Sequence, residues 1–327
     1  MHGWLIIDKP VGIGSTPCVS AVKRALRQGG YGKHKVGHGG TLDPLASGVL
    51  PIAIGEATKL AGRMLDSDKV YAFTISFGAE TDTLDAEGEV VETSDARPTL
   101  AEIEAILPRF TGEIEQVPPK YSALKIDGKP AYARMRAGED VEIETRRVKI
   151  HAIRHPELVS GSICPDDEDE LRGLGVWMLK QVQHDGVEDR AAPLDSITLT
   201  AHVSKGTYIR SLARDIARAL NTVGHVTMLH RIKAGPFTLE GAISLDKLDE
   251  LAKSRALEQA LLPLTAGLDD IPALSVTPDQ ARKLRQGQRL DGFPASQGLH
   301  LATDQSVPVA LVDCDEGEVR VVRGFNL

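Results

Sequence analysis

The residues best placed to do chemistry sit in Gly37-His38-Gly39-Gly40-Thr41-Leu42-Asp43-Pro44-Leu45-Ala46-Ser47-Gly48-Val49-Leu50-Pro51. Glycines let backbone approach a ligand closely, and Pro44 biases Asp43 away from helix and fixes the chain direction after it. Such a loop can hold a carboxylate rigidly in a cleft, although Asp-Pro also simply starts turns. A second stretch, Ser204-Lys205-Gly206-Thr207-Tyr208-Ile209-Arg210, reads as a strand running into a helix, with Arg210 in the first turn. Arg210 there is a candidate ion-pair partner for a cleft carboxylate. Arg214 and Arg218 continue its stripe and read as a solvated face. Tyr71, in Lys69-Val70-Tyr71-Ala72-Phe73, on its own reads as strand packing. Several other chemistries find no support. GxxxxGK[ST] is absent and no GxGxxG follows a strand. His34 and His38 have no helical partner at i+4 and HExxH is missing, which predicts no metal site. No serine or cysteine lies in a nucleophile setting such as GxSxG.

These side chains must be positioned by a mixture of strands and helices. Residues 4–8 predict a buried strand, and Ser15 to Leu26 a helix capped by Ser15 or Thr16. Residues 29–40 hold six glycines with Lys33, His34, Lys35 and His38, a basic loop. Val70–Phe77, Val148–Ile153 and Ser196–Val203 predict strands; Thr99–Phe110, Thr207–Leu220 and Leu245–Leu262 predict helices. From Ile271 a short helix (Pro278–Arg285) and a final strand pair (Pro308–Asp313, Val319–Arg323) suggest a small β-rich module. Strands and helices do not alternate as βαβα, so the fold class is α+β. About forty residues, 154–193, with the acidic run Asp166–Glu170, separate two predicted strands. That is far beyond an ordinary connection and reads as an insertion at about 155–190.

The chain has 327 residues, 42% hydrophobic and 26% charged, which allows about two domains and excludes a largely disordered protein. No apolar run approaches membrane-spanning length. The N-terminus lacks the basic flank of a signal peptide, and Cys18, Cys164 and Cys314 are widely spaced, so a reducing cytoplasm is expected. Net charge is −8, yet residues 1–63 carry +5 and residues 191–245 carry +3. Folded together, those two segments would form a local positive face suited to phosphates. With 4% aromatic residues, a dense array of base-stacking platforms is not expected.

Four motifs stand in order along the chain: Ile7-Asp8-Lys9-Pro10-x-Gly12, the Asp43 stretch, Pro118-Pro119-x-Tyr121-Ser122-Ala123-Leu124-Lys125-x-x-Gly128, and Ser204–Arg210 followed by Leu229-His230-Arg231. Together they resemble the TruB-type tRNA pseudouridine synthases. The resemblance is strong over about residues 4–154 and 194–263 and looser beyond. It implies a twisted, largely antiparallel mixed sheet with flanking helices and a central cleft in residues 1–263, and a PUA-like RNA-binding domain in residues 264–327. It implies isomerisation of the T-loop uridine at position 55 of tRNA, after the base is flipped out of the loop. Asp43 matches the catalytic aspartate, Arg210 its cationic partner, Tyr71 the ring stacked on uracil and Leu229 an apolar wall. His38, with Gly39 and Gly40 beside it, matches the residue that helps to extrude the base. Lys205 and Tyr208 are expected in substrate binding. The partner is the T arm and loop of tRNA, bound by a monomer without cofactor, metal or membrane. Asp43 could attack C1′ or C6, or help to remove the C2′ proton. An RNA-binding or tRNA-folding protein is the alternative, although a pure binder needs no Asp43–Tyr71–Arg210 set. A two-carboxylate glycosidase lacks an evident second acid.

Overall fold

The computed structural model describes residues 1–122, 124–126, 129–130, 134, 139, 143–155 and 190–327. Ala123, the Asp127-Gly128 turn and the proposed insertion from Pro156 to Asp189 lie outside the described residues.

The first half of the chain runs β1 (Gly3–Lys9), α1 (Ser15–Gln28), β2 (Val36–His38), β3 (Ala46–Ile54), α2 (Ala61–Asp66), β4 (Lys69–Phe77), β5 (Ala79–Thr81), β6 (Val90–Thr93), α3 (Leu100–Ile106), β7 (Gly112–Gln116) and the short pair β8 (Lys125–Ile126) and β9 (Lys129–Pro130). It continues with β10 (Arg146–Arg154), β11 (Ser196–Val203), α4 (Ile209–Ala219), β12 (Gly224–Ala234), β13 (Phe237–Thr238) and α5 (Leu245–Lys253). The last elements are β14 (Ala273–Ser275), α6 (Pro278–Arg285), β15 (Gly298–Asp304), β16 (Val307–Asp315) and β17 (Glu318–Gly324).

The central sheet has the order β1-β3-β12-β4-β11-β10-β7, with β2 on β3 and β13 on β12. The β3–β12 pairing is parallel; its other pairings are antiparallel. This is the α+β class expected. Strand alternation explains the layers. In β1, Leu5 and Ile7 enter a core shared with α1, α4 and α5, whereas Trp4 and Ile6 enter a second core on the opposite face. That second core is completed by Leu301, Leu311 and Phe325 from the C-terminal strands. The four-stranded sheet β14-β15-β16-β17 also has a core of its own under α6. Lys59 Nζ donates to the Gly324 carbonyl at 2.8 Å, and the Asn326 amide to Glu56 at 2.8 Å. The C-terminal strands therefore cover the back of the central sheet.

Several elements differ from the sequence reading. The stretch after Asp43 is not all loop: Ala46–Ile54 forms β3, buried almost throughout between β1 and β12. Sandwiching between two neighbours overrides the breakers Gly48 and Pro51. The helix predicted to reach Leu262 stops at Lys253, where Arg255 takes a positive φ of 54°. Neither Ser15 nor Thr16 caps α1: Gly14 stands at the N-cap, and Ser15 Oγ is engaged with Leu42.

Strands β10 and β11 are direct antiparallel neighbours, with Arg154 opposite Thr200. A brief link suffices to join them, and loop entropy changes by only about 0.6 kcal/mol per doubling of length. Replacing residues 156–189 by a short Gly/Ser linker is expected to leave the melting temperature and the activity near those of the parent. A large loss of either would show that the segment has been recruited into the fold or the site.

Candidate active site

The Asp43 loop joins β2 to β3 and is held from three sides. From below, Lys9 is fully buried and its Nζ donates to the carbonyls of Pro10 and Ile13 and, at 3.5 Å, of Pro44. The Gly12 amide donates to Pro44 as well, at 2.8 Å. From the start of α1, Ser15 Oγ accepts from the Leu42 amide at 2.7 Å and donates to the Leu42 carbonyl at 3.1 Å. From β12, Arg231 is 1% exposed. It donates to the carbonyls of Val49 at 2.7 Å, Gly40 at 3.2 Å and Thr41 at 3.4 Å. The residues on both sides of Asp43 are thus fixed before its side chain makes any contact. Gly48 makes the approach of β12 possible: its φ is +97°, and a Cβ there would lie 2.2 Å from the Arg231 carbonyl oxygen.

The Asp43 carboxylate is bonded from α4. Arg210 Nη2 donates to Asp43 Oδ2 at 2.8 Å and to the Tyr121 carbonyl at 3.1 Å. Its Nη1 donates to Asp85 Oδ2 at 3.1 Å and to the Thr83 carbonyl at 2.9 Å. Asp85 is itself oriented, because its Oδ1 accepts from Thr83 Oγ1 at 2.6 Å and from the Glu87 amide at 3.1 Å. The tight turn that brings Thr83 and Asp85 together puts Leu84 at φ 63°. The two carboxylates differ in exposure. Asp85 is 5% exposed beside a 7% exposed guanidinium, whereas Asp43 is 42% exposed. Asp85 therefore serves the arginine, and Asp43 faces the cleft. Sequence reasoning missed Asp85, Lys9, Ser15 and Arg231 as parts of this site. The acid-rich stretch 80–92 that holds Asp85 carries no local mark that singles it out.

The cleft has a volume of about 310 Å³. Asp43 and Arg210 share its walls with Tyr71, Leu229, Tyr208, Gly40 and others. Tyr71 and Lys69 stand two apart on β4 and share a face. Leu229 reaches the cleft because it pairs with both Ala46 of β3 and Phe73 of β4. Tyr208 donates its amide to Gln116 at 2.8 Å, and Arg146 lies over its ring at 5.7 Å. Lys69 donates to the carbonyls of Met64, Leu65 and Ser67 at the end of α2. Burial, with the neighbouring Arg231 charge, pushes the Lys69 ammonium down to about 8.

Other expected residues do not line this cleft. His38 ends β2, half-buried, and burial followed by the Arg231 charge favours its neutral imidazole. Gly39 packs against Met64, where a Cβ would come within 2.7 Å. Lys205 is exposed and pairs with Asp66 at 3.0 Å. Arg214 and Arg218 do not reach Asp43. They are paired rather than simply solvated: Arg214 with Asp215, and Arg218 with Glu80 and Glu92.

Two substitutions separate the supports of Asp43. Ser15→Ala leaves the Leu42 amide and carbonyl without their buried partner. It is expected to cost about 1–2 kcal/mol in urea denaturation at unchanged m-value; an unchanged midpoint would contradict the clamp. Asp85→Asn leaves the guanidinium without its buried counter-charge, at a cost of about 3 kcal/mol. Turnover should fall at least about 100-fold while substrate affinity changes little, because what is lost is the orientation of Arg210 by a buried side chain that does not face the cleft. Wild-type turnover would show that Arg210 needs no such anchor.

Residues 27–162 match the family model described as TruB family pseudouridylate synthase (N terminal domain). Residues 210–269 match that of the tRNA pseudouridylate synthase B C-terminal domain. The chain is 58% identical to the tRNA pseudouridine synthase B of Novosphingobium aromaticivorans over 327 residues, which cover all of this chain and 98% of the relative. It is 56% identical to the protein of that name from Zymomonas mobilis, covering all of this chain and 96% of the relative. In fold it is similar to a solved H/ACA ribonucleoprotein bound to a substrate RNA containing 2′-deoxyuridine, with a TM-score of 0.67 and 22% identity over 99% of this chain and 85% of that one. The ordered motifs, the Asp43–Arg210 cleft and relatives of this identity along the whole chain agree: the chain belongs to the TruB family of pseudouridine synthases.

Proposed function

We propose that this isomerase converts the T-loop uridine at position 55 of tRNA to pseudouridine, with Asp43 as the catalytic carboxylate. The observation that carries this reading is the 2.8 Å bond from Arg210 to Asp43 on the wall of a cleft that also presents Tyr71 and Leu229. The reaction breaks the C1′–N1 bond, turns the uracil, forms a C1′–C5 bond and removes the C5 proton, while N1 takes up a proton. Each route open to Asp43 (attack on C1′, attack on C6, or removal of the C2′ proton) needs an ionised carboxylate beside the sugar. Arg210 donates a charge-assisted bond to one oxygen of the carboxylate and so orients it, while the group remains open to the cleft. Tyr71 stacks on the flipped uracil and its hydroxyl stands ready to assist proton removal from C5, with Leu229 closing the other side. Neutral His38, at the end of β2 next to Gly39 and Gly40, fills the gap that the base leaves in the T loop. Lys205, at the rim, exchanges Asp66 for a phosphate, and Tyr208 orients the nucleotide.

Residues 1–263 form the catalytic unit and residues 264–327 an RNA-binding unit, acting as a monomer in the cytoplasm. The free thiols of Cys18 and Cys314 suit a reducing compartment. No described helix is long and apolar enough to cross a membrane. The RNA role of the tail is supported by exposed Arg282, Lys283, Arg285 and Arg289 at and just beyond the end of α6.

Asp43→Asn preserves shape and removes the charge. It should lower tritium release from C5-labelled T-loop RNA by at least about 10³-fold with binding almost unchanged. Turnover above a few per cent of wild type would overturn the assignment. Arg282→Ala/Lys283→Ala/Arg285→Ala should weaken binding of full-length tRNA and reduce the slope of log affinity against log salt by about 1–3. Turnover of a saturating T-arm stem-loop should be retained. An unchanged affinity and slope would remove the tail from the RNA interface.

A further inference from the structure

Asp68, His151 and His202 come from three separate segments of the chain and meet at one point outside the cleft. Asp68 immediately precedes β4, His202 is the penultimate residue of β11, and His151 lies in β10. The meeting depends on a β-bulge. Ile150 is opposite Val203 and Ala152 is opposite His202, so His151 is the extra residue of β10 at that step. Its ring lies 4.6 Å from that of His202, centroid to centroid. Val203 and Lys69, the immediate neighbours of His202 and Asp68, line the catalytic cleft. Strand alternation directs His202 to the opposite face, so the cluster is separate from the reaction site.

We propose that these three side chains bind a first-row divalent transition ion, zinc being the best match. His151 Nε2 is 3.1 Å from Asp68 Oδ2, and His202 Nε2 is 3.9 Å from the same oxygen. The three ligand atoms all lie within 4.8 Å of one another. Ligands at about 2.0–2.1 Å around a tetrahedral zinc ion stand roughly 3.3 Å apart, so small rotamer adjustments close the set. Two borderline imidazole donors beside one hard carboxylate favour zinc, cobalt or nickel over magnesium or calcium. All three side chains are partly exposed, which provides an entry path and leaves a fourth position for water. Lys233 lines the same surface groove as Asp68, so the ion binds beside an ammonium and less tightly than in a closed four-ligand site. The bound ion ties the start of β4, the strand that carries Lys69 and Tyr71, to β10 and β11. Linear motifs could not reveal this site, because its ligands are 83 and 51 positions apart along the chain.

Cobalt titration of the full-length, EDTA-treated protein, followed by visible d–d absorption, tests the proposal, with zinc added in competition. The wild type is expected to take up one ion with a low-symmetry four- or five-coordinate spectrum, displaced by zinc. His151→Ala, His202→Ala and Asp68→Asn should each weaken binding at least about 10-fold. Zinc should raise the melting temperature of the wild type and leave that of His151→Ala/His202→Ala unchanged; circular dichroism reports that each variant is folded. Absence of a cobalt spectrum in the wild type would overturn the proposal. So would an equal spectrum and affinity in the folded double variant, which would place binding elsewhere, for instance at His2 and His34 with ring centroids 6.1 Å apart.

Discussion

Arg210 is bonded to two carboxylates, and only one of them meets solvent to any extent. Asp85 is buried, holds one edge of the guanidinium and is held in turn by Thr83 and the Glu87 amide. Asp43, on the other edge, is open to the cleft. A buried arginine with a single exposed partner would be costly to desolvate and free to rotate. With Asp85 and two carbonyls as fixed acceptors, its remaining donor is aimed at one point, and the Asp43 carboxylate occupies it. The helix α4, the turn after β5, the Tyr121 segment and the Asp43 loop all converge on this one side chain.

The Asp43 loop obeys the same logic in its backbone. Lys9 and Arg231 are buried cations that, among the described residues, donate to carbonyl oxygens. A carbonyl cradle holds the main chain of the loop without drawing a further carboxylate toward Asp43. It also leaves positive charge beneath the cleft, with Lys69 adding to it at neutral pH because its ammonium titrates near 8. The basic balance of residues 1–63 and 191–245 is thus spent partly inside the protein, on Lys9, Arg210 and Arg231, and only partly on its surface. An acidic protein can present a cationic floor to RNA in this way without a basic exterior.

What the sequence disclosed depended on whether a residue's role was local. Asp43 and Arg210 were legible because glycines, proline and a strand–helix junction mark their surroundings. The strands Gly3–Lys9, Lys69–Phe77 and Ser196–Val203 were legible from β-branched runs, and α6 from its proline and capping residues. β3 was hidden by Gly48 and Pro51, and its existence depends on neighbours from both ends of the catalytic region. Asp85 was hidden among the acids of residues 80–92, since nothing in that run tells which one turns inward. Ser15 looked like a cap, a local role, and instead bonds a residue 27 positions away. His38, Gly39 and Lys205 belong to the right motifs, but motif membership does not decide which side chains reach the cleft wall. Among the described residues, the separation of a front cleft from a back face covered by Phe325 and the C-terminal strands appears only once the sheet is assembled.

Arg210 transmits the anchorage of Asp85 to Asp43, and a double-mutant cycle on single-turnover pseudouridine formation reads out that coupling. Arg210→Lys and Asp85→Asn are each expected to slow the chemical step, and the combined variant should be no more than a few-fold slower than Arg210→Lys alone, because the second change acts through a fork already lost. Losses that multiply in the double variant would contradict the account and make the two residues independent contributors.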